Sequence, residues 1–158
     1  MVMFNYLNRI HLVKEKNMEF DLLKEKFSAK EAHLINPLTL AFIGDAVYEV
    51  FIRTYLVGEN KTLKVQQLHL KTVNYVKAKS QSNYAKLILD MLDEDEMSVF
   101  KRGRNTKSST PKNADVGEYR WATGFEAVIG YLYIAGKNER LNYLLNKIIE
   151  MSDNNGKS

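Results

Sequence analysis

Apolar residues recur at helical spacing along almost the whole chain, and no stretch alternates apolar and polar residues convincingly with period two. Helices are therefore the elements available to build a core, and the chain is expected to form a single all-α domain. Breakers are scarce, with two prolines and eight glycines in 158 residues, so the few that occur carry information. Asn36 and Pro37 are a good N-cap and first helical residue, and the apolar pattern then runs to about residue 57, where Gly58 is a natural stop. A second start at Thr62 opens 63–91, one long or two shorter helices with polar residues around 72–82 offering a break. The acids of "DEDE" and the bases that follow suit a short helix over about 93–103. Residues 102–115 show no periodicity and read as a loop. Asp115 with Glu118 caps a helix from 116 to about 135, which Gly136 ends, and a last amphipathic helix covers about 138–151. Residues 1–18 read as an N-terminal extension, with Met18 an alternative start, 19–151 as the domain, and 152–158 as a flexible tail.

Composition removes several kinds of chemistry. There is no cysteine, which excludes disulfides and thiolate zinc sites and favours an intracellular setting. His11, His33 and His69 are far apart in sequence, so a histidine metal cluster or a Ser-His-Asp triad has little to work with. No "HD" pair is present for a phosphohydrolase of that kind. Catalysis would fall to carboxylates, with or without a hard cation bound through oxygen. No apolar run reaches the ~20 residues of a membrane helix, and the N-terminus lacks the long apolar core of a secretory signal. The net charge of +4 is compatible with a polyanionic partner without demanding one.

Two acids stand out. In "LAFIGDAVYEVFIR", Leu38, Ala41, Phe42, Asp45, Glu49 and Ile52 share one helical face, and the other faces carry Ile43, Val47, Val50, Phe51 and Tyr55. A helix apolar nearly all round is expected to be buried centrally, with Asp45 inside the bundle or lining a cleft in it. "WATGFEAVIGYLYIAG" repeats the pattern, and Glu126 is its sole charged residue between Arg120 and Lys137. Gly124 and Gly130 would let another helix approach closely. Side by side and ionised, Asp45 and Glu126 would repel, and a divalent cation such as Mg²⁺ would resolve that. The competing reading pairs each acid with an arginine, for which Arg53, Arg120 and Arg140 are available. Spacing leaves both readings open.

The segment "KRGRNTKSSTPK", 101–112, holds Lys101, Arg102, Arg104, Lys107 and Lys112 and no acid. Basic and hydroxyl side chains in one stretch suit phosphate contacts, although a solvated surface loop would look the same. The absence of aromatics argues against stacking on single-stranded bases. The segment leads directly into the helix that carries Glu126.

"FIGDAVYE" resembles the core of the ribonuclease III signature, and "ATGFEAVIGYLYI" resembles that family's second acidic motif. With "VKAKSQS" and "FKRGRNTKSSTPKNADV", the order and spacing are similar to Mini-ribonuclease III, the short bacterial branch without a double-stranded-RNA-binding domain. The resemblance covers about residues 19–150. It implies a homodimeric all-α endonuclease domain that cuts double-stranded RNA and leaves 5′-phosphate and 3′-hydroxyl ends. It implies Asp45 and Glu126 as metal-binding, catalytic acids, with Mg²⁺ as cofactor and Mn²⁺ a candidate substitute. The implied substrate is precursor 23S ribosomal RNA in the bacterial cytoplasm, with a large-subunit ribosomal protein a candidate partner and no membrane involved. Arg102, Arg104, Lys107 and Lys112 become the candidate RNA contacts. Longer members of the family carry further acids at the positions of Leu38, Ala41 and Thr123, so the water network around the metal must differ here. A non-catalytic RNA-binding dimer of the same fold is the alternative.

Overall fold

The computed structural model describes residues 27–107 and 110–155, the last three of these by backbone only. The extension expected over 1–18 lies outside them. Seven α-helices are present among the described residues, and none of these residues is in a strand. They are α1 (Ala29–Leu34), α2 (Pro37–Glu59), α3 (Val65–Val76), α4 (Ala78–Ile88), α5 (Glu94–Asn105), α6 (Val116–Ile134) and α7 (Asn138–Asn155), with a 3₁₀ turn at Leu89–Met91.

Local chemistry accounts for most boundaries. Asn36 accepts a hydrogen bond from the Leu38 N–H at 2.9 Å, and Pro37 takes the first helical position. Asp93 and Glu96 cap each other reciprocally, and Asp115 accepts from the Glu118 N–H at 2.7 Å. Gly136, at φ 66°, ends α6 as expected. The break expected within 72–82 falls at Lys77, whose extended backbone separates α3 from α4.

Four expectations change. α1 is additional to the expected helices, because six residues are too few for a periodic signal. Its "SAKE" opening is nevertheless a full capping box, with Ser28 accepting from the Glu31 N–H and Glu31 from the Ser28 N–H. α2 passes through Gly58 to Glu59 and closes on Asn60, whose side chain donates to the Leu56 carbonyl at 3.0 Å. α5 runs on through Arg102, Gly103 and Arg104, so these are helical residues and the loop begins later. α7 continues to Asn155, into the stretch expected to be a tail, and residues 156–158 lie outside the described ones.

α6 is the central helix, flanked by α2, α4 and α5. Its residues from Ala122 to Leu132 are buried, apart from the half-buried Glu126. Tyr48 of α2 meets Phe125 of α6 edge-on at 5.1 Å between ring centres. Glu96, fully buried, forms a two-pronged ion pair with Arg140, which ties α5 to the start of α7.

Candidate active site

Two glycines set the position of the acids. A Cβ placed on Gly44 would lie 1.8 Å from the Glu126 carbonyl oxygen, and one on Gly130 would lie 1.9 Å from the Leu40 carbonyl oxygen. α2 and α6 therefore cross backbone to backbone. Asp45 follows Gly44 directly, so the crossing brings it near enough to Glu126 for its charge to act on that carboxyl. The stripe of α2 that packs inward runs through Gly44, as Leu40, Gly44, Tyr48, Ile52 and Leu56. This corrects the expectation of an enclosed α2. Asp45 is an exposed residue at the edge of the packed face, and Phe42 is 80% exposed. Apolar character all round could not say which side packs; the small residue that permits close approach decides it.

The pair is electrostatically unsettled. Desolvation pushes the Glu126 carboxyl up to about 8, and the Asp45 charge adds to the rise. Desolvation also raises Asp45, followed by the charge of Glu49 one turn on. Asp45 is the more exposed of the two, and its charge bears on Glu126. Neither acid has a cation to settle it: among the described residues no ion pair involves Asp45 or Glu126. Arg53 pairs with Glu49 at 2.6 Å and Arg140 with Glu96 at 2.8 Å. The arginine-paired reading left open by the sequence does not hold for either of these arginines.

The one relief comes from a neutral residue. The Gln81 side chain, on the neighbouring α4, lowers both carboxyls, while its Nε2 donates to the Val76 carbonyl at 3.1 Å. Gln81 lies in "VKAKSQS", but an uncharged amide on a largely polar helix gives no signal of a site in the sequence. At the positions where longer relatives carry acids, Ala41 is buried, Leu38 is half-buried, and the Thr123 hydroxyl donates to the Tyr119 carbonyl at 2.9 Å. No cluster of three or more His, Cys, Asp or Glu residues exists among the described residues. Two carboxylates alone fit Mg²⁺, which typically takes one or two and fills its shell with water and phosphate oxygens.

The basic residues have different settings. Arg102 donates to the carbonyl oxygens of His33 and Ile35, the latter at 2.8 Å, and so holds the end of α1. Arg104 lies over the rings of Phe100 and Trp121, at 5.7 and 5.5 Å. Lys107 and Lys112 are exposed on the connection to α6. Gly103 brings α5 against α6 at the level of Glu126, since a Cβ there would be 3.0 Å from that of Ala127 and 3.1 Å from the Gly124 Cα.

Residues 38–137 match the ribonuclease III domain. The chain is 50% identical over 141 residues to the Mini-ribonuclease 3 of Clostridium tetani, covering 86% of this chain and 93% of that protein. It is 49% identical over 139 residues to the Mini-ribonuclease 3 of a Thermoanaerobacter species, covering 87% of this chain and 97% of that one. The chain belongs to the Mini-ribonuclease 3 branch of the ribonuclease III family. A crystal structure of a Fusobacterium nucleatum protein superposes with a TM-score of 0.67 at 35% identity, covering 73% of this chain and 93% of that one. Ribonuclease III enzymes are metal-dependent, and this Mini-ribonuclease 3 chain is accordingly an endoribonuclease of double-stranded RNA.

Proposed function

We propose that Asp45 and Glu126 jointly hold Mg²⁺ and that the enzyme uses it to cut precursor 23S ribosomal RNA in the bacterial cytoplasm, leaving 5′-phosphate and 3′-hydroxyl ends. The observation that supports this reading is the glycine crossing, which brings Asp45 within electrostatic reach of Glu126, with no ion pair among the described residues to neutralise either. When bound, the cation supplies Lewis acidity and offsets charge at the phosphate under attack. Glu126 gives up its proton on ligation, so cation binding at neutral pH releases a proton. Mn²⁺ takes similar oxygen donors and is a candidate substitute.

RNA is held by Arg104, Lys107 and Lys112, which face phosphates, while Arg102 fixes the base of that segment against α1. Duplex RNA is read through shape, phosphates and 2′-hydroxyls, for which such side chains are suited. The active enzyme is a homodimer. Phe42, Val50 and Val57 lie along the outward face of α2, 80%, 49% and 54% exposed. A second copy of the same face covers them and sets the two acid pairs on either side of the interface. A large-subunit ribosomal protein would act by presenting the RNA.

The test is cleavage of a labelled RNA duplex with Mg²⁺ by the natural protein and by Asp45→Asn. The variant is expected to lose more than the roughly 10–100-fold typical of residues that merely support a metal ligand. Cleavage at the natural rate in the variant removes Asp45 from the mechanism.

A further inference from the structure

Trp121, the one tryptophan of the chain, stands where α6 meets both α4 and α5. Gly124 makes room beneath it, since a Cβ there would lie 2.8 Å from a carbon of the Phe100 ring. Phe100, 1% exposed, backs the indole at 5.2 Å between ring centres, tilted by 58°. The half-buried indole gathers two cations from different helices. The Lys86 ammonium of α4 and the Arg104 guanidinium of α5 each lie 5.5 Å from its centre. The two charges are therefore within twice that distance of each other. Among the described residues no ion pair involves either of them. Arg104 donates from Nε to the neutral Asn105 Oδ1 at 3.2 Å. Lys86 sits in the last turn of α4, where the helix dipole favours a cation. That accounts for a base at residue 86 but not for its convergence with Arg104 on one ring, where like charges repel. Neutral side chains would join the three helices without that repulsion.

We propose that Lys86, Arg104 and Trp121 form one phosphate-binding site for the backbone of duplex RNA: the two cations contact phosphate oxygens, and Trp121 is the positioning residue that holds both. An aromatic ring suits this task. A carboxylate would orient the cations only by neutralising them, whereas the indole leaves their charge available to the phosphate. Phe100, Arg104 and Lys86 already surround the ring, and a duplex keeps its bases stacked, so the indole serves the cations and not a base. Trp121 precedes Glu126 by five residues on α6, about 7.5 Å along the helix axis. The site therefore grips the duplex to one side of the acids and acts on substrate binding, not on the phosphate being cut. It extends the basic surface from the α5–α6 connection onto α4. The inference rests on the reading of Arg104 as an RNA contact.

The test measures binding of a fluorescently labelled RNA duplex by anisotropy, in EDTA to prevent cutting, over a series of salt concentrations. The natural protein is compared with Lys86→Gln, Arg104→Gln and the double variant. Trp121→Leu is made in the natural and the doubly substituted backgrounds, and thermal melts run alongside. Lys86→Gln is expected to melt as the natural protein does, to bind roughly 3–5-fold more weakly and to lose about one unit of salt slope. In Mg²⁺ its KM for RNA is expected to rise with kcat kept. Trp121→Leu is expected to weaken binding at least as much in the natural background, and by less than about twofold once both cations are gone. Trp121→Tyr, which keeps an aromatic face, is expected to restore most of the binding. Natural affinity and salt slope in Lys86→Gln, with binding weakened in Arg104→Gln, overturn the shared site and leave Arg104 as a phosphate contact. Natural affinity in Arg104→Gln overturns the reading of Arg104 and the shared site with it. An equal loss from Trp121→Leu in both backgrounds overturns the positioning role of the indole. If Trp121→Leu does not fold, Lys86→Gln, at an exposed position, decides the proposal alone.

Discussion

Glu126 carries the largest electrostatic burden of the site, and its titration has a sign that can be checked. An unfolded glutamate ionises near pH 4.5, whereas burial and Asp45 hold the folded carboxyl at about 8. Between those values the folded state binds the extra proton, so its stability falls as pH rises. Without metal, the protein is expected to be most stable below about pH 4.5 with respect to this group and to lose on the order of a few kcal/mol by pH 8. Glu126→Gln is expected to flatten that slope and raise the melting temperature at pH 8; an unchanged slope in urea melts from pH 5 to 8 would contradict the burial argument. Metal affinity should move the opposite way and strengthen as pH rises towards 8, because ligation needs the ionised form. Both acids are legible in the sequence, since a single charge in a long apolar helix is conspicuous. Their proximity is not, because it depends on where two helices cross. Gln81 is illegible for a simpler reason: nothing distinguishes a buried amide from an exposed one until the packing is known.

Among the elements, the crossing of α2 and α6 matters most. Gly130→Ala puts a methyl group 1.9 Å from the Leu40 carbonyl oxygen, a backbone atom that yields only if the helix moves. The variant is expected to lose at least about 1–3 kcal/mol of stability and most of its cleavage, measured by chemical melts and duplex cutting. Gly136→Ala is the useful contrast. Nothing lies within 4 Å of an added methyl there, but φ is +66°, so a cost of about 1–2 kcal/mol is expected with activity retained. Full activity in Gly130→Ala would show that the close crossing is dispensable. The glycines explain why breakers mark some helix ends and not others. Gly136 ends a helix because its backbone is left-handed; Gly58 and Gly103 have no such conformation, and Gly103 is there to let α5 touch α6. A single-letter reading cannot tell these uses apart. The short α1 escapes periodicity although its capping box is in plain view.

For the whole molecule, the outward face of α2 is the feature a monomer does not explain. Phe42 alone contributes roughly 2–3 kcal/mol if fully covered. Phe42→Glu is expected to shift the protein from dimer to monomer by sedimentation at micromolar concentration, with the helical circular-dichroism signal kept. A dimer of undiminished stability in that variant would place the interface elsewhere. Alanine at Lys107 and Lys112 is expected to weaken duplex binding at all sequences and to flatten the salt dependence by about one unit for each phosphate no longer neutralised. The sequence pattern shows α2 as apolar nearly all round, which is consistent with a central core helix and with an interface alike. A core and an interface draw on the same residue types, and only the packed chain shows which apolar faces stay uncovered. The most direct measurement of the joint metal site is an anomalous-difference map from crystals of the natural protein grown with Mn²⁺. The expected result is a peak about 2.0–2.2 Å from a carboxylate oxygen of both Asp45 and Glu126. A peak bound by only one of the two acids, or none at the α2–α6 crossing, would contradict it.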